Sequence, residues 1–88
     1  MAGTLKVSVV SANAEVWSGE AKQLTARTVE GEIGILPGHE PMLAILAKGE
    51  VRLTLADGRK LTANAEDGFL SVEKNRVSIV AGTASLAS

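Results

Sequence analysis

The alternation of apolar and polar residues along nearly the whole chain is the feature that most constrains its fold. It is clear in Leu5–Val9, Val51–Leu55, Leu61–Ala65 and Val77–Ile79. Successive side chains of a strand point to opposite faces, so this period of two predicts strands with one buried face and one solvent-exposed face. No amphipathic helical window of useful length interrupts the pattern. The sequence therefore predicts an all-β protein.

Turn-forming residues between the alternating runs predict how the strands connect. Asp57-Gly58 separates two runs and is typical of a type I′ hairpin, in which both central residues need positive φ. The apolar run Met42–Ala47 is predicted as a strand because Pro41 and Gly49 flank it. Further corners are predicted at Ser18-Gly19, Gly31, Gly34, Pro37-Gly38, Gly49, Asp67-Gly68, Lys74-Asn75 and Gly82. Many short strands with frequent turns indicate an antiparallel β-sandwich or barrel, as a single domain over residues 1–88.

Composition excludes several classes of function. The 88 residues carry a net charge of −1, no basic stripe and no cysteine, which argues against nucleic acid as a partner and excludes thiolate chemistry and cysteine zinc sites. No stretch approaches the roughly 20 apolar residues that span a bilayer, so any membrane contact is expected to pass through another protein. The core is expected to be aliphatic, with Phe69 in it and Trp17 either anchoring the first turn or exposed at an interface.

The segment "EGEIGILPGHEPML", residues 30–43, is the best candidate for a functional loop. His39 is the only imidazole and could work with Glu32 or Glu40, but no G-x-S-x-G, Walker motif or defined ligand spacing accompanies it. His39 could equally bond the backbone of its own turn or dock on a partner. Glu30 and Glu32 lie on one face if the alternation continues, where they could act as acid and base, form a solvated edge or meet a basic partner. We predict no catalytic, cofactor or metal site.

Several motifs together resemble the N-terminal domain of the epsilon subunit of F-type ATP synthase. They are "VVSA", "WSG", "EGEIGILPGHEPML", "GFLSV" and "VSIVAGTA", in this order, and the resemblance covers essentially the whole chain. The family usually has glycine at the position of Asp67 and an acid at that of Ser71. It typically continues into two C-terminal helices, so the chain resembles either a naturally short epsilon subunit or the sandwich of a longer one.

The resemblance implies a fold of about ten short antiparallel strands and a non-catalytic role. The chain would be a rotor subunit in the central stalk of a proton-translocating synthase, docking on the gamma subunit and the c-ring to couple rotation to ATP synthesis. The inhibitory C-terminal helices would be lacking. The resemblance further implies no cofactor, no obligate homo-oligomer, and a peripheral location on the cytoplasmic face of the cell membrane, reached only through the complex.

Site residues follow from the same resemblance. Ser11 matches a gamma-facing position, and Glu30 and Glu32 would complement arginines on the c-ring loops. The residues expected to dock on gamma and the c-ring are Glu30, Gly31, Glu32, Gly34, Pro37, Gly38 and His39. An exposed aliphatic patch on one sheet face is also expected for gamma, although periodicity does not assign its members. The alternative is a free-standing sandwich that binds a small ligand, or a hydrolase using His39 with Glu32.

Overall fold

A computed structural model describes residues 3–12 and 14–87 of the chain. Every regular element in these residues is a β-strand, and no helix among them is long and apolar enough to cross a membrane. The strands are β1 (Leu5–Ser11), β2 (Glu15–Thr28), β3 (Gly31–Ile35), β4 (Met42–Leu55), β5 (Lys60–Glu73) and β6 (Arg76–Ala87). The all-β prediction is confirmed.

The strands form one sheet that closes on itself. Their order is β1-β6-β5-β4-β2-β3, and β1 also pairs with β2. All pairs are antiparallel except β1 with β6, which is parallel. Closure gives most strands a hydrogen-bonding neighbour on both sides, which leaves few free edges for unwanted pairing. The short strand β3 stands outside this ring and pairs only with β2.

The expected strand count of about ten is wrong, because the described residues form six longer strands. The predicted corners at Gly49, Asp67-Gly68 and Gly82 lie inside β4, β5 and β6. In β5 the buried positions are odd-numbered in the first half and even-numbered in the second, and Asp67 between them has a φ of 60°. The register of β5 with β4 and with β6 is the same before and after this point, so the three strands bend together as they pass from one layer of the flattened sheet to the other. The long strands therefore serve both layers of the sandwich.

The core between the layers is aliphatic, as predicted. Its buried members are Leu5, Val7, Val9, Ala21, Leu24, Ala26, Ile35, Leu46, Val51, Leu53, Ala63, Ala65, Leu70, Val72, Val77, Ile79 and Ala81. Trp17 is half-buried, packs against this core and covers Gly19, where an added Cβ would lie 2.7 Å from its ring. The prediction that Phe69 belongs to the core is wrong, since this residue is 46% exposed. The change from odd-numbered to even-numbered buried positions in β5 turns its side chain outward.

The Asp57-Gly58 hairpin forms between β4 and β5, but not as a type I′ turn. Only Gly58 has positive φ, at 93°, and its N–H donates to the carbonyl oxygen of Leu55 over 2.9 Å. The backbone N–H of Arg59 donates to the Asp57 carboxylate, which lowers the pKa of that carboxyl below its usual value. The paired positive φ values expected there occur instead in the β5–β6 hairpin, at Lys74 (50°) and Asn75 (61°).

Candidate docking surface

The predicted docking loop is divided in two by strand β3. Residues 29–32, here called the acidic turn, comprise the connection from β2 to β3 and the first two residues of β3. Residues 36–41, here called the proline loop, join β3 to β4. The five residues of β3 are extended, so at about 3.3 Å per residue they hold the two segments on the order of 13 Å apart. Glu32 and His39 therefore do not converge, and the arrangement gives the hydrolase alternative no dyad.

The acidic turn is built on a buried threonine. The Oγ1 of Thr28 donates to the carbonyl oxygen of Gly31 over 2.7 Å and accepts the N–H of Glu30 over 3.2 Å. Gly31 has a φ of 121°, which residues with a Cβ rarely adopt. The N–H of Val29 donates to the carbonyl oxygen of Ile45 over 3.0 Å, so the turn is also attached to β4. These bonds preform the backbone on which the glutamates stand.

The two glutamates of the acidic turn present their carboxylates to solvent. Glu30 and Glu32 are both exposed, and Glu32 lies opposite Arg27 in the β2–β3 register. The two ion pairs among the described residues involve other side chains. Both carboxylates can therefore accept charge-assisted hydrogen bonds from a basic partner.

The proline loop is held by a side chain from a different hairpin. The N–H of Gly38, whose φ is 89°, donates to Oδ1 of Asn75 over 2.7 Å. The N–H of His39 donates to the carbonyl oxygen of Leu36 over 3.1 Å. The Nδ1 of His39 lies 2.7 Å from the carbonyl oxygen of Glu40, which can only accept, so Nδ1 donates. The imidazole bonds its own turn, and no group of residues suited to a metal occurs in the described chain.

Gly34 does not lie in the loop where it was expected, and Ser11 bonds the turn that follows β1. Gly34 lies inside β3, opposite Thr25, and an added Cβ there would meet nothing within 4 Å. It is therefore not a loop residue and its backbone needs no glycine. Ser11 ends β1, and its N–H and Oγ donate to the carbonyl oxygen of Ala14 over 2.9 and 3.2 Å. Its hydroxyl thus supports the turn between β1 and β2.

Sequence reasoning expected an exposed aliphatic patch but did not assign its members, and the structure contains a row of apolar side chains on the outer face. Ile45, Phe69, Val80 and Val10 lie directly opposite one another on β4, β5, β6 and β1, and we call them the apolar row. The first three are 62%, 46% and 38% exposed. Their neighbours Leu43 and Val29 are 71% and 63% exposed. The row unites residues distant in the sequence, so only the strand register reveals it.

The remaining surface of the described residues offers no aromatic-lined ligand site. Trp17 and Phe69 contribute to none of the four surface depressions. Bound sugars and similar ligands are usually held by such side chains in concave sites. The geometry gives no support to the ligand-binding alternative.

Preformed turns and an exposed apolar row on a closed sheet define a small β-sandwich domain. The chain belongs to the family described as the ATP synthase, Delta/Epsilon chain, beta-sandwich domain, whose model matches residues 4–87. The resemblance to the epsilon subunit is thereby confirmed, and with it the prediction of a non-catalytic subunit.

Relatives and solved structures agree with this assignment. The chain is 54% identical over 82 residues to the ATP synthase epsilon chain of Micrococcus luteus, covering 93% of this chain and 90% of the relative. It is 44% identical to the epsilon chain of Streptomyces coelicolor, covering 98% of this chain and 69% of the relative. A chain in the Euglena gracilis mitochondrial ATP synthase OSCP/F1/c-ring structure has a TM-score of 0.88 at 26% identity, covering 94% of this chain and 53% of that one. A chain in the central stalk/c-ring structure of the Tetrahymena thermophila mitochondrial ATP synthase shares the fold, with a TM-score of 0.75 at 16% identity, covering 94% of this chain and 66% of that one.

Proposed function

We propose that the chain is a central-stalk subunit of a proton-translocating F-type ATP synthase. It docks on the gamma subunit and the c-ring, couples rotation to ATP synthesis, and reaches the cytoplasmic face of the cell membrane only through the complex. Family membership supports this role, as do structural neighbours from assemblies named for F1, the central stalk and the c-ring. The observation that carries the proposal is the apolar row, because an exposed apolar patch on a small protein marks a partner surface.

The apolar row is the proposed binding site for gamma. It stands on strands whose alternate residues are core, such as Leu70 beside Phe69 and Ile79 beside Val80, so its members are fixed before binding. Fixed side chains lose little entropy on association. Burying one side chain of this size stabilises a complex by about 1.5–3 kcal/mol. Ser11, the residue after Val10, is proposed as a further gamma-facing position on the resemblance alone.

The acidic turn is the proposed contact with the c-ring. Glu30 and Glu32 are exposed on a backbone that Thr28 has already fixed. Such charges give register and specificity more than affinity when they meet basic loops of a partner. The proline loop, with Pro37, Gly38 and His39, forms a second contact at the other end of β3.

The proposed gamma-binding site is tested by substituting Phe69→Ser in the 88-residue chain and measuring the affinity of the variant for purified gamma from the same organism. We expect at least a tenfold loss, because about 1.4 kcal/mol of burial corresponds to a factor of ten. Leu86→Ser is the matched control, since Leu86 is 44% exposed but lies on β6 outside the row. Equal affinities of wild type and Phe69→Ser would contradict the proposal.

The c-ring contact is tested by the charge reversal Glu32→Arg. Because Glu32 is exposed, the variant should fold normally but assemble poorly with the c-ring. Glu66→Arg makes the same charge change on β5 and should assemble like wild type. Normal coupled ATP synthesis by the Glu32→Arg complex would refute the role of this carboxylate.

A further inference from the structure

The outer face beside the apolar row carries two more rows of side chains in the same register. The serine row crosses the four strands β2, β1, β6 and β5 and consists of Ser18, Ser8, Ser78 and Ser71. Two residues further along the same strands, the charged row consists of Glu20, Lys6, Arg76 and Glu73. The face thus runs from apolar, through small and polar, to charged.

The serine row forms the floor of a trough. Serine side chains are short, whereas the charged row carries long ones, so the surface is lower over the serine row than over the charged row. A depression of about 510 Å³ lies here, and its lining includes Ser8, Ser18 and Ser78 together with Lys6 and Arg76. A convex, elongated element of a partner would fit this shape.

We propose that an amphipathic α-helix of the gamma subunit lies in this trough, across the strands. This inference rests on the proposed function. On the three strands that they share, β1, β6 and β5, the charged row and the apolar row are four residues apart. This is about 13 Å at 3.3 Å per residue, which matches the 10–12 Å diameter of a helix with its side chains. Four strands at about 4.8 Å spacing give the apolar row a length of roughly 14 Å, or about ten residues of helix.

The two cations stand in the middle of the charged row, between Glu20 and Glu73 at its ends, and would meet the polar side of that helix. Lys6 and Arg76 are direct neighbours in the β1–β6 register, about 4.8 Å apart at the usual strand spacing. Neither takes part in the ion pairs of the described residues. Side chains three or four positions apart on a helix are separated by about 5–6 Å. The partner helix therefore carries two acidic residues at this spacing on one flank and an apolar stripe on the other.

The test fills the trough and measures binding to purified gamma. Ser78→Trp raises the middle of the floor on an exposed position, and we expect affinity for gamma to fall at least tenfold. Asn64→Trp, equally exposed on the other layer, is the control and should bind like wild type. Thermal unfolding of both variants verifies that each is folded.

A second arm tests the charges. Lys6→Glu combined with Arg76→Glu should weaken binding at least tenfold, whereas Lys22→Glu combined with Lys60→Glu makes the same net change elsewhere and should not. Replacing the two acids of the gamma helix by lysine should restore binding to the first double variant.

The outcomes separate this inference from the proposed function. If wild type binds gamma and Ser78→Trp binds equally well, the proposed binding of a helix in the trough is wrong, whereas the proposed role in the central stalk is unaffected. If wild type does not bind gamma, both are wrong. Weaker binding by Phe69→Ser with unchanged binding by Ser78→Trp would mean that gamma uses the apolar row without a helix in the trough.

Discussion

Gly68→Ala places a methyl group where β5 and β6 have no room for one. A Cβ at Gly68 would lie 1.8 Å from the carbonyl oxygen of Val80 and 2.5 Å from the Cα of Ala81. Both are backbone atoms, which cannot rotate away as a side chain can. The β6 backbone would have to move by about 1.2 Å to reach even the 3.0 Å below which real contacts essentially never fall. This glycine is therefore a packing requirement.

The expected cost follows from these distances. Overpacking a well-filled site typically lowers stability by about 1–3 kcal/mol, and by more where the backbone must shift. Replacing a glycine restores about 0.4–1 kcal/mol of stability, because the unfolded chain then has fewer conformations to lose. We expect Gly68→Ala to lower the free energy of unfolding by about 3 kcal/mol, out of roughly 4–13 kcal/mol for a domain of this size. The Tm should fall by roughly 12–24 °C.

Urea unfolding followed by the fluorescence of the half-buried Trp17 measures this loss. The matched control is Gly34→Ala on β3, where the added Cβ meets nothing within 4 Å and should raise stability by about 0.5 kcal/mol. Unfolding free energies of Gly68→Ala and wild type within 1 kcal/mol of each other would refute the steric argument. So would a comparable loss in Gly34→Ala.

Three further predictions concern the hairpins. Asn75→Gly keeps the positive φ but removes the acceptor for the Gly38 N–H, so hydrogen exchange of that amide should accelerate, whereas Asn75→Asp should retain its protection. Lys74→Gly should raise the urea midpoint, because a non-glycine residue in the left-handed region costs about 1–2 kcal/mol; an unchanged midpoint would contradict this. Since the pKa of Asp57 is lowered in the folded state by the Arg59 N–H, its stabilising effect is present above the usual pKa of 3.8 and lost as the pH falls through the folded pKa. Asp57→Asn should weaken the dependence of the free energy of unfolding on pH in acid. An unchanged dependence would contradict this explanation of the lowered pKa.

The strands were predictable because a period of two is a local signal, and the outward turn of Phe69 was not. The residues around Phe69 read as a normal alternating run once Asp67-Gly68 is taken as a corner. In the structure the chain continues through that point as one strand, with Asp67 at a φ of 60°, and the buried positions change from odd-numbered to even-numbered. A turn signal is visible in the sequence, but the register with β4 and β6, which keeps the strand continuous, is not.

The composition of the candidate site was only partly predictable for a similar reason. Residues 30–43 look like one loop because their glycines and prolines are contiguous, yet five of them pair with β2 and separate the acidic turn from the proline loop. Asn75 supports Gly38 across 37 positions in the chain. Such a contact depends on the closure of the sheet, which no local pattern encodes.

The long strands that pass through both layers also determine how the molecule responds to force. In a sandwich of separate sheets, sideways stress on one face reaches the other only through the apolar interior, and the sheets can slide. Here β4 and β5 are covalently continuous from one face to the other, so sliding requires breaking hydrogen bonds along the same ladders. A twisting load applied at one face is therefore transmitted to the other face along the peptide backbone.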